Sequence, residues 1–301
     1  MKTFLKYILF TLLGVVVLDL ICRPLFVYIY DNPPKGSTIE SDLSYIFNKE
    51  QSDILILGAS RASRHYNCQM FIDSLGKTCF NAGHDGQPIY NQYLDLLKSI
   101  ENGKVETVFL DISSAQLSDK WIKERMLPLV PYYWKNDSVR SIIDNVSDRT
   151  IPPHVLYCSS LIQYNSLWHK LPQLIKPRSH NAIHGYMPLP YNGEEFHYTQ
   201  RLKDDLAPND KAIDYLSRIV KTCEVNNISL YLIVSPSLND FSPFISFMSE
   251  WCAKNNVILL DYSTYPPCFN DPYLWKDESH MNCKGADIFT AELIRFLRNQ
   301  H

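Results

Sequence analysis

Short apolar runs alternate with amphipathic stretches along most of this 301-residue chain. The clearest run, residues 53–57, is almost continuously apolar, which is typical of a parallel strand that is buried on both faces. Further strands are predicted at residues 77–80, 105–110, 228–234 and 257–260. The stretches around them predict helices at residues 39–48, 62–75, 88–100, 211–225, 244–254 and 285–297. Repeated strand–helix units of this kind predict an α/β fold, a three-layer α/β/α sandwich with a central parallel sheet.

The first 30 residues have a different pattern, because their apolar positions form one continuous block. An uninterrupted apolar run covers residues 7–18, and residues 4–22 supply about the 20 mainly apolar positions that a membrane-spanning helix needs. No pair of small residues suited to signal-peptide cleavage follows the run. We therefore predict an uncleaved N-terminal transmembrane helix; the alternatives are a cleaved signal peptide and a buried helix of a soluble protein.

Charged residues at the two ends of this segment predict its orientation. Lys2 and Lys6 precede the apolar run, which favours a cytoplasmic N-terminus and a periplasmic or extracellular location for the remaining chain. Asp19 lies near the opposite end, where its carboxylate is expected either to reach the membrane interface or to pair with Arg23 four residues later.

The alternation of strands and helices stops between residues 113 and 210, a stretch that contains many prolines and aromatic residues, Trp121 among them. It is too long for a simple loop of a compact domain, so we predict an insertion beside the sheet. The predicted organisation is a membrane anchor at residues 1–30 and one domain at residues 31–301, which begins with a linker and contains the insertion. The histidines of the insertion, whose irregular spacing does not suit a metal site, are His154, His169, His180, His184 and His197.

Composition narrows the range of functions. Hydrophobic residues make up 46% of the chain, enough for a large core, and the net charge of −3 comes with scattered basic residues, so nucleic acid is not an expected partner. Eight cysteines are present without a CxxC pair or the spacing of zinc ligands. Cys22 lies in the apolar N-terminal segment and leaves an odd number outside it, so we expect several reduced thiols in the core. No cofactor and no metal are predicted.

Two short motifs contain the residue types of a nucleophilic hydrolase. Gly58-Ala59-Ser60 directly follows the clearest predicted strand, and ligands collect at the carboxyl ends of parallel strands. A serine there lies beside the N–H groups of the next helix, which favour a developing oxyanion; without a base, it would serve only as a helix cap. Asp277 and His280 lie three residues apart before the last helix, a spacing at which a carboxylate can orient an imidazole base.

Together these motifs resemble the SGNH/GDSL hydrolase superfamily, in which strand-Gly-x-Ser opens the domain and Asp-x-x-His precedes the closing helix. The resemblance covers the chain from about residue 53 to the C-terminus, apart from the insertion. It implies a sheet of the flavodoxin-like type. It also implies that Ser60 is the nucleophile, that His280 is the base and that Asp277 orients the base.

The oxyanion hole is where the chain follows the family least closely. The second family block supplies a glycine N–H that acts beside the N–H of the serine; Gly86 matches it, with Gly83 as the alternative. The third block should supply an asparagine after the third strand, and this chain has none there. Gln116, Ser114 or a group from the insertion is expected to replace it. Loss of one such donor lowers turnover by roughly 10²–10³.

The resemblance implies an extracytoplasmic acyl esterase or O-acyltransferase. Its substrate would be an acylated cell-envelope glycan or another ester, attacked through an acyl-serine intermediate, and a membrane acyltransferase is an expected partner. Arg61, next to the serine, is expected either to bind a substrate carboxylate or to pair with an acid at the surface.

Two other functions are weighed against this one. A nucleotide-binding Rossmann domain is disfavoured, because Ser60 and Ser63 stand where its glycine-rich fingerprint requires glycines. A non-catalytic protein of the same fold would bind a glycan or assist a membrane transferase. The missing asparagine favours that alternative, and the complete set of serine, histidine and aspartate opposes it.

Overall fold

The computed structural model describes residues 2–31, 39–118, 125–147, 149–165, 182–197 and 208–300. Trp121, His169, His180 and most of the predicted linker lie outside these residues. The chain forms two compact units, of which one comprises Met1–Ser41 and Lys123–Ser179 and the other Asp42–Ile122 and His180–His301. The predicted domain of residues 31–301 with its insertion stays a prediction.

A five-stranded parallel sheet is the centre of the second unit. Its strands are β1 (Ile54–Leu57), β2 (Cys79–Asn81), β3 (Thr107–Asp111), β4 (Ser229–Val234) and β5 (Ile258–Asp261). Their order is β2-β1-β3-β4-β5, so the chain crosses from one side of β1 to the other between β2 and β3. Ligands collect at such a reversal, outside the carboxyl ends of β1 and β3. The predicted parallel sheet is confirmed, and every strand lies within two residues of its predicted position.

The helices also follow the predicted periodicity closely. In chain order, the α-helices of the described residues are α1 (Lys2–Asp31), α2 (Ile39–Asn48), α3 (Ser60–His65), α4 (Cys68–Leu75), α5 (Ile89–Asn102), α6 (Asp137–Val146), α7 (Pro153–Leu156), α8 (Ser160–Gln163), α9 (Asp210–Val225), α10 (Ser242–Asn255), α11 (Pro266–Phe269) and α12 (Cys283–Arg298). Short 3₁₀ helices are present at Ser114–Leu117, Leu127–Tyr132 and Pro272–Leu274.

One predicted helix is divided into two. The pattern predicts a single helix at residues 62–75, but Tyr66 and Asn67 are extended and separate α3 from α4. Asn67 causes the interruption by capping α4, because its side-chain oxygen accepts a hydrogen bond from the N–H of Gln69 (3.2 Å). Its side-chain amide also donates to Asp287 of α12 (2.8 Å). The break therefore fixes α3 as a separate short helix beside α12.

Apolar side chains cover both faces of the sheet. Side chains alternate between the two faces along each strand, and those of Ile54, Phe109 and Tyr231 lie on the same face. There they pack with Phe71 of α4 and Phe289 of α12. On the other face, α5 packs against β1, and α9 packs against α5 and β4. Helices on both faces of one sheet make the three-layer sandwich that the sequence predicts.

The first unit contains the long N-terminal helix α1. An 18-residue window within Thr3–Asp31 has a mean hydropathy of 2.2, and none of that window is buried. Its length and composition are sufficient to span a membrane, as predicted, and a signal sequence has the same properties. The complete exposure of this window argues against the alternative of a buried helix in a soluble protein.

Asp19 of α1 has a different hydrogen-bonding partner from the predicted Arg23. Its carboxylate accepts hydrogen bonds from Ser159 Oγ (2.6 Å) and from the N–H of Leu161 (2.9 Å), at the start of α8. Further along α1, apolar side chains pack around Tyr164. The carboxylate within this apolar helix is therefore satisfied by the polypeptide of its own unit.

We predict that Phe289→Ala lowers the free energy of unfolding by about 3–5 kcal/mol, because it leaves a cavity between α12 and the sheet. The matched control is the neighbouring Ile288→Ala, whose side chain is 38% exposed and should cost less than about 1 kcal/mol. Urea unfolding of the detergent-solubilised full chain, followed by tryptophan fluorescence, measures both. Equal losses in the two variants would contradict this account of the core.

Candidate active site

Ser60 lies at the first position of α3, immediately beyond the carboxyl end of β1. Gly58 turns the chain from the strand into the helix with φ of 148°, a backbone conformation that favours glycine. A Cβ at Gly58 would lie 2.6 Å from the Cβ of Ala62 and 2.8 Å from the carbonyl oxygen of Asp111. Because Gly58 has no side chain, the end of β3 can lie close to the turn that follows β1. Ser60 is thereby placed beside the point where the strand order reverses.

Ser60, His280 and Asp277 form a continuous hydrogen-bonded chain. The Oγ of Ser60 is 2.7 Å from Nε2 of His280, and Nδ1 of His280 is 2.9 Å from both carboxylate oxygens of Asp277. The His280 side chain is 20% exposed, so the imidazole lies at the edge of the core yet within reach of solvent. The fold thus brings together three residues that the sequence motifs single out, across 220 positions of chain.

The turn that contains Asp277 and His280 is fixed by its own backbone. Oδ1 of Asp277 accepts hydrogen bonds from the N–H groups of Ser279 (2.8 Å) and His280 (2.9 Å). Asn282 then caps α12 by accepting from the N–H of Lys284 (3.1 Å). The Asp-x-x-His spacing therefore places carboxylate and imidazole on one side of a tight turn at the entrance to a helix.

Electrostatics favour an ionised Asp277. Burial by itself raises the pKa of the Asp277 carboxyl, but the hydrogen bonds from His280 and from two backbone N–H groups outweigh burial and hold the pKa below its usual value. A carboxylate at this place fixes the proton of the His280 ring on Nδ1. The other ring nitrogen, Nε2, then faces Ser60 as a proton acceptor.

The glycines predicted for the oxyanion hole occupy different environments. The N–H of Gly83 donates to Oδ1 of Asn81 (3.0 Å), and a Cβ at Gly83 would lie 2.7 Å from the backbone nitrogen of Ser63 in α3. Gly83 is therefore a packing contact with α3, and its N–H is already used. Gly86 has φ of 63° and lies in the turn before α5, so Gly86 stays the predicted donor.

Gln116 is held by local backbone, and its role in the oxyanion hole stays a prediction. Its side-chain nitrogen donates to the carbonyl of Asp111 (3.0 Å), and its side-chain oxygen accepts from the N–H of Ser113 (3.0 Å). The second contact belongs to a capping box that begins the 3₁₀ helix Ser114–Leu117. Both ends of the amide therefore hydrogen-bond to local backbone, and one of its two side-chain N–H donors is already used.

Arg61 has its partner in the core of the protein. Its side chain is 7% exposed and pairs with the fully buried Asp111 (Nη2 to Oδ1, 3.0 Å) rather than with a surface acid. The guanidinium further donates to the carbonyls of Ile112 (2.8 Å) and Ser235 (3.2 Å). Arg61 therefore links the first turn of α3 to the ends of β3 and β4.

His65 is a buried histidine beside the site that the motifs do not reveal. Its Nε2 accepts a hydrogen bond from the N–H of Met281 (3.0 Å), so the ring proton is on Nδ1, which faces Ser235 Oγ at 3.2 Å. The rings of His65 and His280 meet edge to face, with centroids 6.3 Å apart. No sequence signal distinguishes His65, because an isolated histidine inside a helix has no characteristic spacing.

Part of the predicted insertion runs along the rim of the site. The N–H of Met187 donates to the carbonyl of Ser63 (2.8 Å), and the N–H of Cys283 donates to the carbonyl of Leu189 (2.8 Å). Residues 182–197 thus pass over α3 and the start of α12. Within the described part of the chain, no group of three or more His, Cys, Asp or Glu side chains is placed to hold a metal ion.

Several solved structures are similar to this chain. A GDSL-like lipase from Bacteroides thetaiotaomicron is 12% identical, with a TM-score of 0.41 over 82% of this chain and 88% of the other. An esterase from a Pseudoalteromonas species is 12% identical, with a TM-score of 0.43 over 82% of this chain and 97% of the other. An acetyl xylan esterase is 13% identical, with a TM-score of 0.41 over 81% of this chain and 98% of the other.

No protein-family model matches the chain, and no curated protein matches it either. The similar structures include proteins named GDSL-like, which is the class that the motifs resemble.

We predict that the two buried histidines of this region make stability fall at acid pH. Burial lowers the pKa of His65 well below its usual value and that of His84 to about 4. As the pH falls, the unfolded chain therefore binds protons at these two histidines at a higher pH than the folded chain does. The contribution to stability is complete above about pH 6.5 and is lost as the pH falls, by up to about 1.4 kcal/mol per pH unit for each group.

Urea unfolding between pH 7 and pH 5 measures this effect. His65→Asn should have a smaller loss of stability per pH unit than the wild-type chain, whatever its stability at pH 7. The control is the exposed His154→Asn, which should keep the wild-type slope. Identical slopes in all three proteins would show that His65 is not held neutral.

Proposed function

We propose that this chain is a serine-dependent acyl ester hydrolase or O-acyltransferase. The observation that supports this proposal best is the unbroken contact from Ser60 Oγ through His280 to the carboxylate of Asp277, at 2.7 and 2.9 Å. A nucleophile within hydrogen-bonding distance of a base, which is itself oriented by a third group, is the arrangement that activates serine. A serine that only capped a helix would not need this base.

The proposed reaction has two acyl-transfer steps. Nε2 of His280 takes the proton of Ser60 as Oγ attacks the ester carbonyl carbon, and the carbonyl oxygen becomes an oxyanion. Collapse of this intermediate breaks the ester C–O bond, and His280 protonates the departing alcohol. The resulting acyl-Ser60 is then attacked by water in a hydrolase or by a sugar hydroxyl in a transferase, with His280 again as the base. Asp277 keeps the imidazole oriented and stabilises its protonated form.

The N–H groups of Ser60 and Gly86 are the proposed donors to the oxyanion. Gln116 is engaged by its own capping box, and the third donor of the family, an asparagine after the third strand, is missing from the chain. Because one donor is worth roughly 10²–10³ in turnover, we expect slow turnover compared with a site that has all three.

The proposed substrate is an acylated glycan of a bacterial cell envelope, reached by a catalytic domain outside the cytoplasm. Support comes from the apolar helix α1 with Lys2 and Lys6 at its start, and from the resemblance of the motifs to membrane-anchored relatives that modify surface polysaccharides. A membrane acyltransferase that supplies acyl groups is the proposed partner. The competing proposal, a non-catalytic glycan-binding or assembly protein, is favoured by the incomplete oxyanion hole.

We predict that a fluorophosphonate probe forms one adduct, on Ser60, in the detergent-solubilised full chain. Ser60→Ala should abolish labelling, and Asp277→Asn should slow it by roughly 10²- to 10⁴-fold, because the imidazole loses its orienting carboxylate. The exposed Ser246→Ala serves as the control and should label like the wild-type protein. Intact-protein and peptide mass spectrometry measure the adduct. A folded wild-type protein without any adduct would favour the non-catalytic alternative.

We predict that the chain resists extraction from membranes by alkaline carbonate and exposes Cys158 on the outer side. Cys158 is an exposed cysteine, so a membrane-impermeant maleimide should label it in intact spheroplasts. Loss of the label in the Cys158→Ser variant would show that Cys158 is the labelled residue. If labelling of Cys158 requires permeabilised cells, the proposed orientation is wrong.

A further inference from the structure

Cys68 and Cys79 bring their sulfur atoms together in the core of the second unit. Their Sγ atoms are 2.8 Å apart, and the two residues are 0% and 3% exposed. All eight cysteines lie in the described part of the chain, and this is the one pair among them with sulfurs in mutual contact. Cys68 begins α4 and Cys79 begins β2, so each sulfur is carried by regular structure.

The surroundings of the pair suit uncharged sulfur groups and do not suit a metal. Both side chains belong to the apolar cluster that contains Phe71, and no third His, Cys, Asp or Glu completes a metal site there among the described residues. Burial and the contact with Cys68 raise the pKa of the Cys79 thiol well above its usual value, so a thiolate is disfavoured in the folded protein. A disulfide places no charge in this cluster, and the contact between the two sulfurs already brings its two partners together.

We propose that Cys68 and Cys79 are joined by a disulfide bond in the mature protein. This proposal rests on the extracytoplasmic location given under the proposed function, because disulfides persist in oxidising compartments. The oxidant is a disulfide, either of a small thiol such as glutathione or of a protein dithiol oxidase. One cysteine thiolate attacks the oxidant and releases a thiol, and the second thiolate then attacks the mixed disulfide and releases the other thiol. The protein loses two electrons and two protons, and the oxidant gains them.

The bond closes a short loop between an edge strand and the helix that covers it. β2 is the outermost strand beside β1 and has only three residues, so few backbone hydrogen bonds hold it. Its last residue, Asn81, donates to the carbonyls of Ala62 (2.7 Å) and Tyr66 (3.2 Å) and accepts from the N–H of Gly83. A covalent link at the start of β2 therefore steadies the loop that leads to Gly86.

The order of folding and oxidation follows from the burial of the pair. In the folded protein the sulfurs are closed to solvent, so the bond forms while the chain folds. For the same reason, dithiothreitol should reduce the bond quickly only when a denaturant opens the core.

The direct test is to refold the full chain in detergent with reduced and oxidised glutathione. The product is quenched in acid, alkylated in denaturant without reductant, digested and analysed by mass spectrometry. We expect a peptide pair linked through Cys68 and Cys79, with the other six of the eight cysteines alkylated. Recovery of Cys68 and Cys79 in alkylated form from folded, oxidised protein overturns the proposal.

A second measurement does not depend on mapping peptides. Cys68→Ser and Cys79→Ser should each lower the Tm of the oxidised protein by about 5–10 °C, and the difference from wild type should shrink when all samples are refolded with reductant. Cys252→Ser is the matched control, since Cys252 is buried without a sulfur neighbour; its Tm change should be the same under both conditions. Equal behaviour of all three variants overturns the proposal.

The state of the bond in cells and the reactivity of Ser60 are measured separately. Acid-trapped membranes from the expressing bacterium should contain the linked form, and a fully alkylated pair there overturns the occurrence of the bond in the mature protein. The fluorophosphonate adduct on Ser60, measured on the same oxidised sample, tests the proposed function. A bond without an adduct contradicts only the enzyme, and an adduct without a bond contradicts only the disulfide.

Discussion

The buried ion pair between Arg61 and Asp111 is the interaction on which the geometry of the site depends. Two opposite charges lie 3.0 Å apart in the core. The guanidinium also donates to the carbonyls of Ile112 and Ser235, and the hydroxyl of Tyr66 donates to the carboxylate. Burial raises the pKa of the Asp111 carboxyl, and these partners act against that increase. Removal of one member of such a pair costs about 3–5 kcal/mol, because the other charge remains buried without compensation. Since Arg61 follows the nucleophile directly, the pair fixes the first turn of α3 against β3 and β4.

A second set of contacts places His280 opposite Ser60. The N–H of Met281, next to His280, donates to the neutral ring of His65 in α3. On the other side, the N–H of Leu238 after β4 donates to the carbonyl of Glu278 (2.8 Å). The loop that contains His280 is thus held by α3 on one side and by the segment after β4 on the other. The ion pair of Arg61 and Asp111 contacts these same two elements. Ser60 and His280 meet because their supporting segments share one network, although most of the chain separates them.

The segment after β3 supports the end of that strand. It forms the 3₁₀ helix Ser114–Leu117, in which Gln116 donates to the carbonyl of Asp111 and accepts from the N–H of Ser113. The carbonyl of Asp111 also lies against Gly58, where a Cβ would approach it to 2.8 Å. The contacts of Gln116 therefore order the backbone beside the turn that leads into Ser60.

The sequence by itself determined the local features of this protein. Periodicity located the strands of the sheet and most of the predicted helices to within two residues, because the apolar positions of each element reflect which of its faces is buried. The motifs around Ser60 and Asp277-His280 were equally local. The division of one predicted helix at Asn67, by contrast, depends on side-chain contacts with Gln69 and Asp287. A capping residue inside an apolar pattern is not distinguishable from an ordinary helical position until its partners are known.

Tertiary structure alone decided the roles of Arg61, Gln116 and His65, and it alone brought Cys68 to Cys79. A guanidinium beside a nucleophile suits a substrate carboxylate as well as it suits a core aspartate, and only the packing of β3 behind α3 selects the second. Two cysteines eleven positions apart carry no signal of proximity until α4 folds back over β2. The physical reason is the same in each case: apolar periodicity is set within one element, whereas the partner of a charged, amide or thiol group is set by which distant segment the sheet brings alongside it.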